Sequence, residues 1–293
     1  MPPLSLSSRA GLSIDIPCKV NLHLGIHAGR DERGYHRADS VMAPVALFDT
    51  VRVSDAPALA VCHEPALSVA PERTTVWKAA TLLAAELGEE PAVRVDVRAR
   101  IPERAGLGGS SADAGATLQL LARLWGIDPL DERVVGVARR VGADVPFFLR
   151  LQTGLYLGGG DVLARVLPGM ELPLALVMPA REGVSTAEAY AEFDRSGESP
   201  ASYEPLCEAL EVGDEDAVCA RLRNNLGPAA ARLCGEVGAA CDWLARQPGV
   251  RAAQVTGSGA CSFGICESAE AAERVAGEAR ARGWRAWATR TLA

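Results

Sequence analysis

The chain is 293 residues long, 48% hydrophobic and 23% charged, which is enough to bury one large or two medium cores. Its formal net charge of −7 speaks against nonspecific nucleic-acid binding, which needs a basic surface, so an anionic ligand has to be held locally. No charged-then-apolar leader precedes residue 30 and no apolar run reaches the roughly 18 residues of a membrane span, so a cytoplasmic protein without a membrane partner is expected.

From residue 12 to 53 the chain reads as strands, broken by the polar turn Gly29-Arg30-Asp31-Glu32-Arg33-Gly34. His23 and His27 lie four apart, but the stretch 20–26 is a strand and no third ligand stands near, so no zinc site is expected. A helix follows over 74–87, and then a strand over 93–101, where apolar and charged residues alternate. Helical spacing of Ala114, Leu118, Leu121 and Leu124 predicts a helix over 114–124, closed by Trp125-Gly126, and a second helix lies near 132–141. Gly142-Ala143-Asp144-Val145-Pro146-Phe147-Phe148-Leu149 reads as a turn leading into an apolar strand, with Asp144 at the strand start. Strands are expected near Leu155 and over 172–178, then helices, strands at 252–255 and 261–266, a helix at 269–282 and a strand at 284–289. That closing order is the ferredoxin-like split βαβ pattern, so two α+β domains are predicted, 1–154 and 155–293. Eight cysteines without a C-x-x-C pair fit reduced thiols rather than a disulfide framework.

The stretch from Pro102 to Asp113, Pro-Glu-Arg-Ala-Gly-Leu-Gly-Gly-Ser-Ser-Ala-Asp, joins a strand to a helix through glycines and hydroxyls. Free N–H groups and the positive dipole end at a helix start attract an anion, and glycines let the backbone come close to it. The stretch lacks the lysine of a G-x-x-x-x-G-K-[ST] loop and the third glycine of a dinucleotide fingerprint. It reads as a phosphate-holding loop; the alternative is a serine-capped helix after a glycine turn.

Asp144 is either a base that accepts a hydroxyl proton or a turn cap. Only two of the thirty basic residues are lysines. Lys19, at the start of a strand, suits neutralisation of a transferred phosphoryl group or stabilisation of the Asp144 carboxylate, with Asn21 on the same strand face, whereas Lys78 reads as a chance surface residue. Thr256-Gly257-Ser258-Gly259-Ala260 is either a loop whose amides approach a ligand or an irregular turn. Tyr35 and His36 offer a stacking face and a hydrogen-bonding ring that suit a flat base, or else belong to core or surface.

Taken together, Cys18-Lys19-Val20-Asn21-Leu22, Gly34-Tyr35-His36, the loop 106–113, Gly142-Ala143-Asp144-Val145-Pro146 and the loop 256–260 occur in an order that resembles the GHMP kinases over nearly the whole chain. Gly-Tyr-His and Gly-Ala-Asp-Val-Pro are similar to the branch that phosphorylates a cytidine-diphosphate-linked methylerythritol on the non-mevalonate route to isoprenoid precursors. The resemblance implies an α+β, two-domain fold, with an N-terminal ribosomal-S5-like domain and a C-terminal ferredoxin-like domain. It implies ATP-dependent phosphorylation of the substrate 2-hydroxyl with Mg2+, in a monomer or homodimer. Asp144 and Lys19 would be the base and its partner. Gly106, Leu107, Gly108, Gly109, Ser110 and Ser111 would wrap the ATP phosphates, and Ser111 would contact the metal. Tyr35, His36 and Tyr190 would hold the cytosine, and Asn21, Thr256, Gly257, Ser258 and Gly259 the rest of the substrate.

The chain departs from the family pattern at several positions. Cys18 replaces an alanine, Ser110 and Ala112 replace a glycine and a serine, Thr74-Thr75 stands for Asn-Leu, and Asn224-Asn225-Leu226-Gly227 for Asn-Asp-Leu-Glu. The alternatives are another GHMP kinase, of homoserine or mevalonate type, and a GHMP-fold binding protein without catalysis. Tyr35, His36 and Tyr190 speak against the first; Lys19 and Asp144, both present, speak against the second.

Overall fold

The computed structural model describes residues 11–30, 32, 34, 36–180, 184–196 and 198–293. The chain begins with two long strands, β1 (Leu12–Arg30) and β2 (His36–Asp55), followed by β3 (Ala60–Glu64), α1 (Thr75–Leu87) and β4 (Val93–Arg98). Three helices come next, α2 (Gly109–Leu124), α3 (Glu132–Val141) and α4 (Phe147–Arg150), then β5 (Gly154–Leu157), β6 (Val162–Val166) and β7 (Pro173–Met178). The remainder runs α5 (Thr186–Ser196), α6 (Glu204–Val212), α7 (Glu215–Arg221), β8 (Arg223–Asn224), α8 (Gly227–Leu233), α9 (Gly235–Ala245), β9 (Val250–Val255), β10 (Ser262–Cys266), α10 (Ala269–Ala281) and β11 (Arg285–Arg290). No helix among the described residues is long and apolar enough to cross a membrane.

Two compact units emerge, and they are interleaved along the chain. The first holds residues 11–17, 48–101 and 109–150. Here β4 turns Val93, Val95 and Val97 inward, pairing antiparallel with β2 and parallel with β3. Thr74 caps α1, its hydroxyl accepting the Trp77 N–H, and Gly88 closes that helix in the left-handed region. Asp131 caps α3, whose Val134, Val137, Ala138 and Val141 form one buried stripe. Every residue of α2 from Ala112 to Ala122 is buried, a helix enclosed on all sides. Small residues permit this. A Cβ on Gly115 would come within 2.4 Å of the Phe148 Cβ, so α4 lies directly on α2 at that point.

This corrects the strand expected at 147–149, which is the helix α4. A short apolar run does not distinguish a buried strand from a buried helix, and Phe148 N to Val145 O and Leu149 N to Pro146 O hydrogen bonds settle it as helical turn. Asp144 therefore stands in a turn between two helices. The helix expected from residue 114 begins at Gly109, so Gly109, Ser110 and Ser111 form its first turn.

The second unit holds residues 18–47, 102–108 and 151–293. Its antiparallel sheet has the order β11-β7-β10-β9, so the first strand in sequence lies between the last and the third. With α9 and α10 packed on it through Ala175, Val177, Leu244, Val275 and Ala279, this is the split βαβ arrangement read from the sequence. In the same unit β1 pairs with β8, and β2 with β5.

Candidate active site

Period-two alternation places Lys19, Asn21 and His23 on one face of β1. Lys19 is 2% exposed, and its Nζ donates to Asn21 Oδ1 at 2.6 Å. Asn21 in turn donates from Nδ2 to Ser40 Oγ at 2.8 Å, and its backbone N–H donates to Thr256 Oγ1 at 3.1 Å. The Thr256 hydroxyl proton is within reach of Asn21 Oδ1 (3.3 Å) and Gly106 O (3.4 Å). The amide oxygen fixes the direction in which the buried Lys19 side chain points.

The two glycine loops, 150 residues apart in sequence, meet here. Ala260 N donates to Arg104 O, Cys261 N to Ala105 O, and Lys19 N to Leu107 O. Gly106 has a φ of +74°, and a Cβ on it would stand 2.1 Å from Thr256 O; a Cβ on Gly257 would stand 2.9 Å from Gly106 O. Both glycines are required by this contact as well as by their positive φ. Asn224, which the sequence reading did not assign, donates from Nδ2 to Val255 O and Gly257 O and so holds the 256–259 loop. Ser258 Oγ lies 3.0 Å from Thr186 Oγ1 at the start of α5, the helix that carries Tyr190.

Past Gly108 the chain passes into the first unit. The N–H groups of Gly109, Ser110 and Ser111 lie in the opening turn of α2, where a helix has no internal acceptors for them. Thr75 Oγ1 donates to Ser110 O at 2.7 Å. Half-buried Asp144 stands in the turn after α3, where Val145 N bonds Gly142 O. Two anchors flank that turn: Lys78 Nζ donates to Val141 O at 3.1 Å, and Gln119 Nε2 on α2 donates to Phe148 O at 2.7 Å. Lys78 is exposed, as read from the sequence, and its ammonium engages the carbonyl at the end of α3.

In the second unit His36 stacks on Tyr190, ring centroids 5.3 Å apart at 27°. Its Nδ1 donates to His27 O at 3.1 Å, and its Nε2 lies 3.0 Å from Asp194 Oδ1. Arg30 holds the Asp194 carboxylate below its ordinary pKa by a direct hydrogen bond. Tyr35 lies outside the described residues. His23 Nε2 and His27 Nε2 both bond buried Asp39, at 2.9 Å for His23. Burial raises the Asp39 pKa, but the two imidazole hydrogen bonds outweigh it and the net shift is downward. Gly25 makes room for the group, since a Cβ there would meet Asp39 Oδ2. Among the described residues no three His, Cys, Asp or Glu side chains form a metal cluster.

A glycine loop opening a buried helix, a second glycine loop laid against it, and a ferredoxin-like sheet define a class. Residues 74–151 match the family model of the GHMP kinases N terminal domain and residues 206–283 that of the GHMP kinases C terminal, and the chain belongs to the GHMP kinases. It is 36% identical to a 4-diphosphocytidyl-2-C-methyl-D-erythritol kinase of Desulfitobacterium hafniense, covering 94% of this chain and 93% of that one. A protein of the same name from Rhodococcus jostii is 37% identical, over 89% and 86%. A crystal structure of 4-(cytidine 5'-diphospho)-2C-methyl-D-erythritol kinase superposes with a TM-score of 0.78 at 31% identity, covering 96% of this chain and all (100%) of the other. Within the GHMP kinases, the chain is a member of the 4-diphosphocytidyl-2-C-methyl-D-erythritol kinase family.

Proposed function

We propose that this chain transfers the γ-phosphoryl group of ATP to the 2-hydroxyl of 4-diphosphocytidyl-2-C-methyl-D-erythritol, on the non-mevalonate route to isoprenoid precursors. The observation that carries the reading is the stack of Tyr190 on His36, whose ring nitrogens are tied to a carbonyl and faced by a carboxylate. An alcohol kinase whose substrate has no base has no use for such a pair, which separates this reading from the homoserine and mevalonate types. In the same reading Tyr35 joins the pair on the cytosine, the N-terminal domain extends over 1–154, and the C-terminal domain over 155–293.

Phosphoryl transfer needs positioning and charge stabilisation more than covalent help. Gly106, Leu107 and Gly108 shape the loop, and the N–H groups of Gly109, Ser110 and Ser111 receive the phosphates. The fit rests on their lack of internal acceptors and on a backbone path that admits no Cβ at Gly106. Ser111 offers the hydroxyl for Mg2+, which when bound neutralises phosphate charge. Asp144 takes the proton of the 2-hydroxyl. Lys19, oriented by Asn21, neutralises charge on the transferred phosphoryl group, and Asn21 and the loop from Thr256 to Gly259 help hold the substrate.

The test is ADP release by purified protein with MgATP and the cytidyl substrate, beside homoserine, mevalonate and the Asp144→Asn variant. Turnover confined to the cytidyl substrate and lost in the variant supports the assignment. Turnover with another alcohol retains the kinase and discards the substrate, and turnover with none refutes the enzyme reading.

A further inference from the structure

In the enclosed middle of α2 stands Gln119, 4% exposed, an amide that needs partners where its neighbours are mostly small or apolar. Thr117 returns its hydroxyl to α2 itself, at Asp113 O (2.7 Å), whereas Gln119 reaches out of the helix. Its Oε1 accepts Arg123 Nη2 at 2.9 Å, which turns the amide so that Nε2 donates to Phe148 O at 2.7 Å. Gly115, one turn earlier on the same face, is the residue whose missing Cβ lets the Phe148 Cβ come down on α2. Phe148 is thus seated on α2 twice, by packing at Gly115 and by a hydrogen bond at Gln119.

On the other side of the Asp144 turn, Lys78 Nζ on α1 donates to Val141 O at 3.1 Å. Val141 is the last residue of α3, and Phe148 lies in the single turn of α4. A helix leaves its last four carbonyls without internal donors, and buried ones have to find a partner elsewhere. Here side chains from two other helices supply one at each end. The span 142–147 runs between these two fixed points, is closed on itself by Val145 N to Gly142 O at 3.2 Å, and contains Asp144.

We propose that Gln119 and Lys78 are positioning residues for Asp144, clamping both ends of the turn that carries it, and that Gln119 does so from the helix whose first turn receives the phosphates. The proposal rests on the kinase reading above, in which Asp144 is the base. Gln119 stands ten residues beyond Gly109, roughly 15 Å along one continuous helix. That helix therefore bears the phosphate turn at its start and the base turn on its side, and a shift of Phe148 on Gln119 moves Asp144 relative to the phosphates.

Gln119→Met keeps the bulk in the core and loses the donor. Lys78→Met loses the other donor from an exposed position, and Lys78→Arg keeps one there. The single-turnover rate of phosphoryl transfer, at saturating MgATP and cytidyl substrate, is expected to fall about tenfold in either Met variant, with both KM values within about twofold of wild type. Lys78→Arg should restore most of the rate. On an Asp144→Asn background, Gln119→Met should lower the rate by less than about twofold, because the group it positions is already gone. If Gln119→Met does not fold, Lys78→Met carries the same cycle. A wild-type rate in the folded Met variants, a raised KM in place of the lowered rate, or a full tenfold loss repeated on Asp144→Asn overturns the proposal and leaves the kinase reading standing. Asp144→Asn protein with the wild-type rate, or a wild type that phosphorylates no alcohol, overturns that reading itself, and the proposal with it.

Discussion

Gly106→Ala probes the contact between the two glycine loops, and Gly126→Ala is its control. Both glycines lie in the left-handed region, at φ +74° and +70°. An alanine there costs about 1–2 kcal/mol in either place. The surroundings differ: nothing stands within 4 Å of a Cβ on Gly126, whereas a Cβ on Gly106 would meet Thr256 O at 2.1 Å, Thr256 C at 3.0 Å and Gly259 O at 3.1 Å. Ordinary contact is about 3.5 Å, so one loop has to move by roughly 1 Å. Both neighbours are backbone, so no rotamer relieves the overlap. A shift of that size at a phosphate-positioning loop costs on the order of 10²-fold in rate. Gly126→Ala should therefore lower the thermal midpoint by a few degrees and leave kcat/KM near wild type. Gly106→Ala should lower both, with kcat/KM down about a hundredfold. Steady-state kinetics and melting curves on the two variants side by side decide it. Gly106→Ala protein that melts like Gly126→Ala and retains the same kcat/KM would refute the claim that the loop contact aims the phosphate site.

Asp144→Asn removes the proposed base and should lower kcat by about two orders of magnitude or more with the melting curve unmoved; retained turnover would take Asp144 out of the mechanism. Tyr190→Ala removes the ring stacked on His36, and it should raise the KM for the cytidyl substrate well above any change in the KM for ATP; equal changes would undo the base-binding assignment. Asp39 has a folded pKa below its unfolded value, so its stabilisation is present above the unfolded value and is lost as pH falls through the folded one. Asp39→Asn should thus cost about 1–3 kcal/mol at neutral pH, in urea unfolding, and the gap to wild type should close below about pH 4. A gap of constant size from pH 7 to 3 would show that the His23 and His27 contacts do not depend on the carboxylate charge.

The elements with strong periodicity were legible: α1, α3 and α10 each carry their own buried stripe. What failed was decided by tertiary burial. Phe147-Phe148-Leu149 has no polar face to show a period, because all three residues are enclosed, and its helical state follows from packing on Gly115. The first turn of α2 was hidden by glycine and serine, poor helix formers that the capping role selects. In the site, each glycine loop announced itself, but the contact between them, 150 residues apart, did not.

Two of the departures from the family pattern make hydrogen bonds to other elements. Thr75, in place of a leucine, donates to the carbonyl of Ser110, itself in place of a glycine, so two departures meet in one hydrogen bond between α1 and the first turn of α2. Asn225, in place of an aspartate, accepts the Ile26 N–H at 2.8 Å and donates to the Ile26 carbonyl at 2.9 Å. An aspartate accepts but cannot donate, so the amide doubles the tie to β1 at the residue before His27. The His27 carbonyl is the acceptor that orients His36. Asn225 thus lies two backbone steps from the ring proposed to hold the base, and ties β1 there with an amide where the family pattern has a carboxylate.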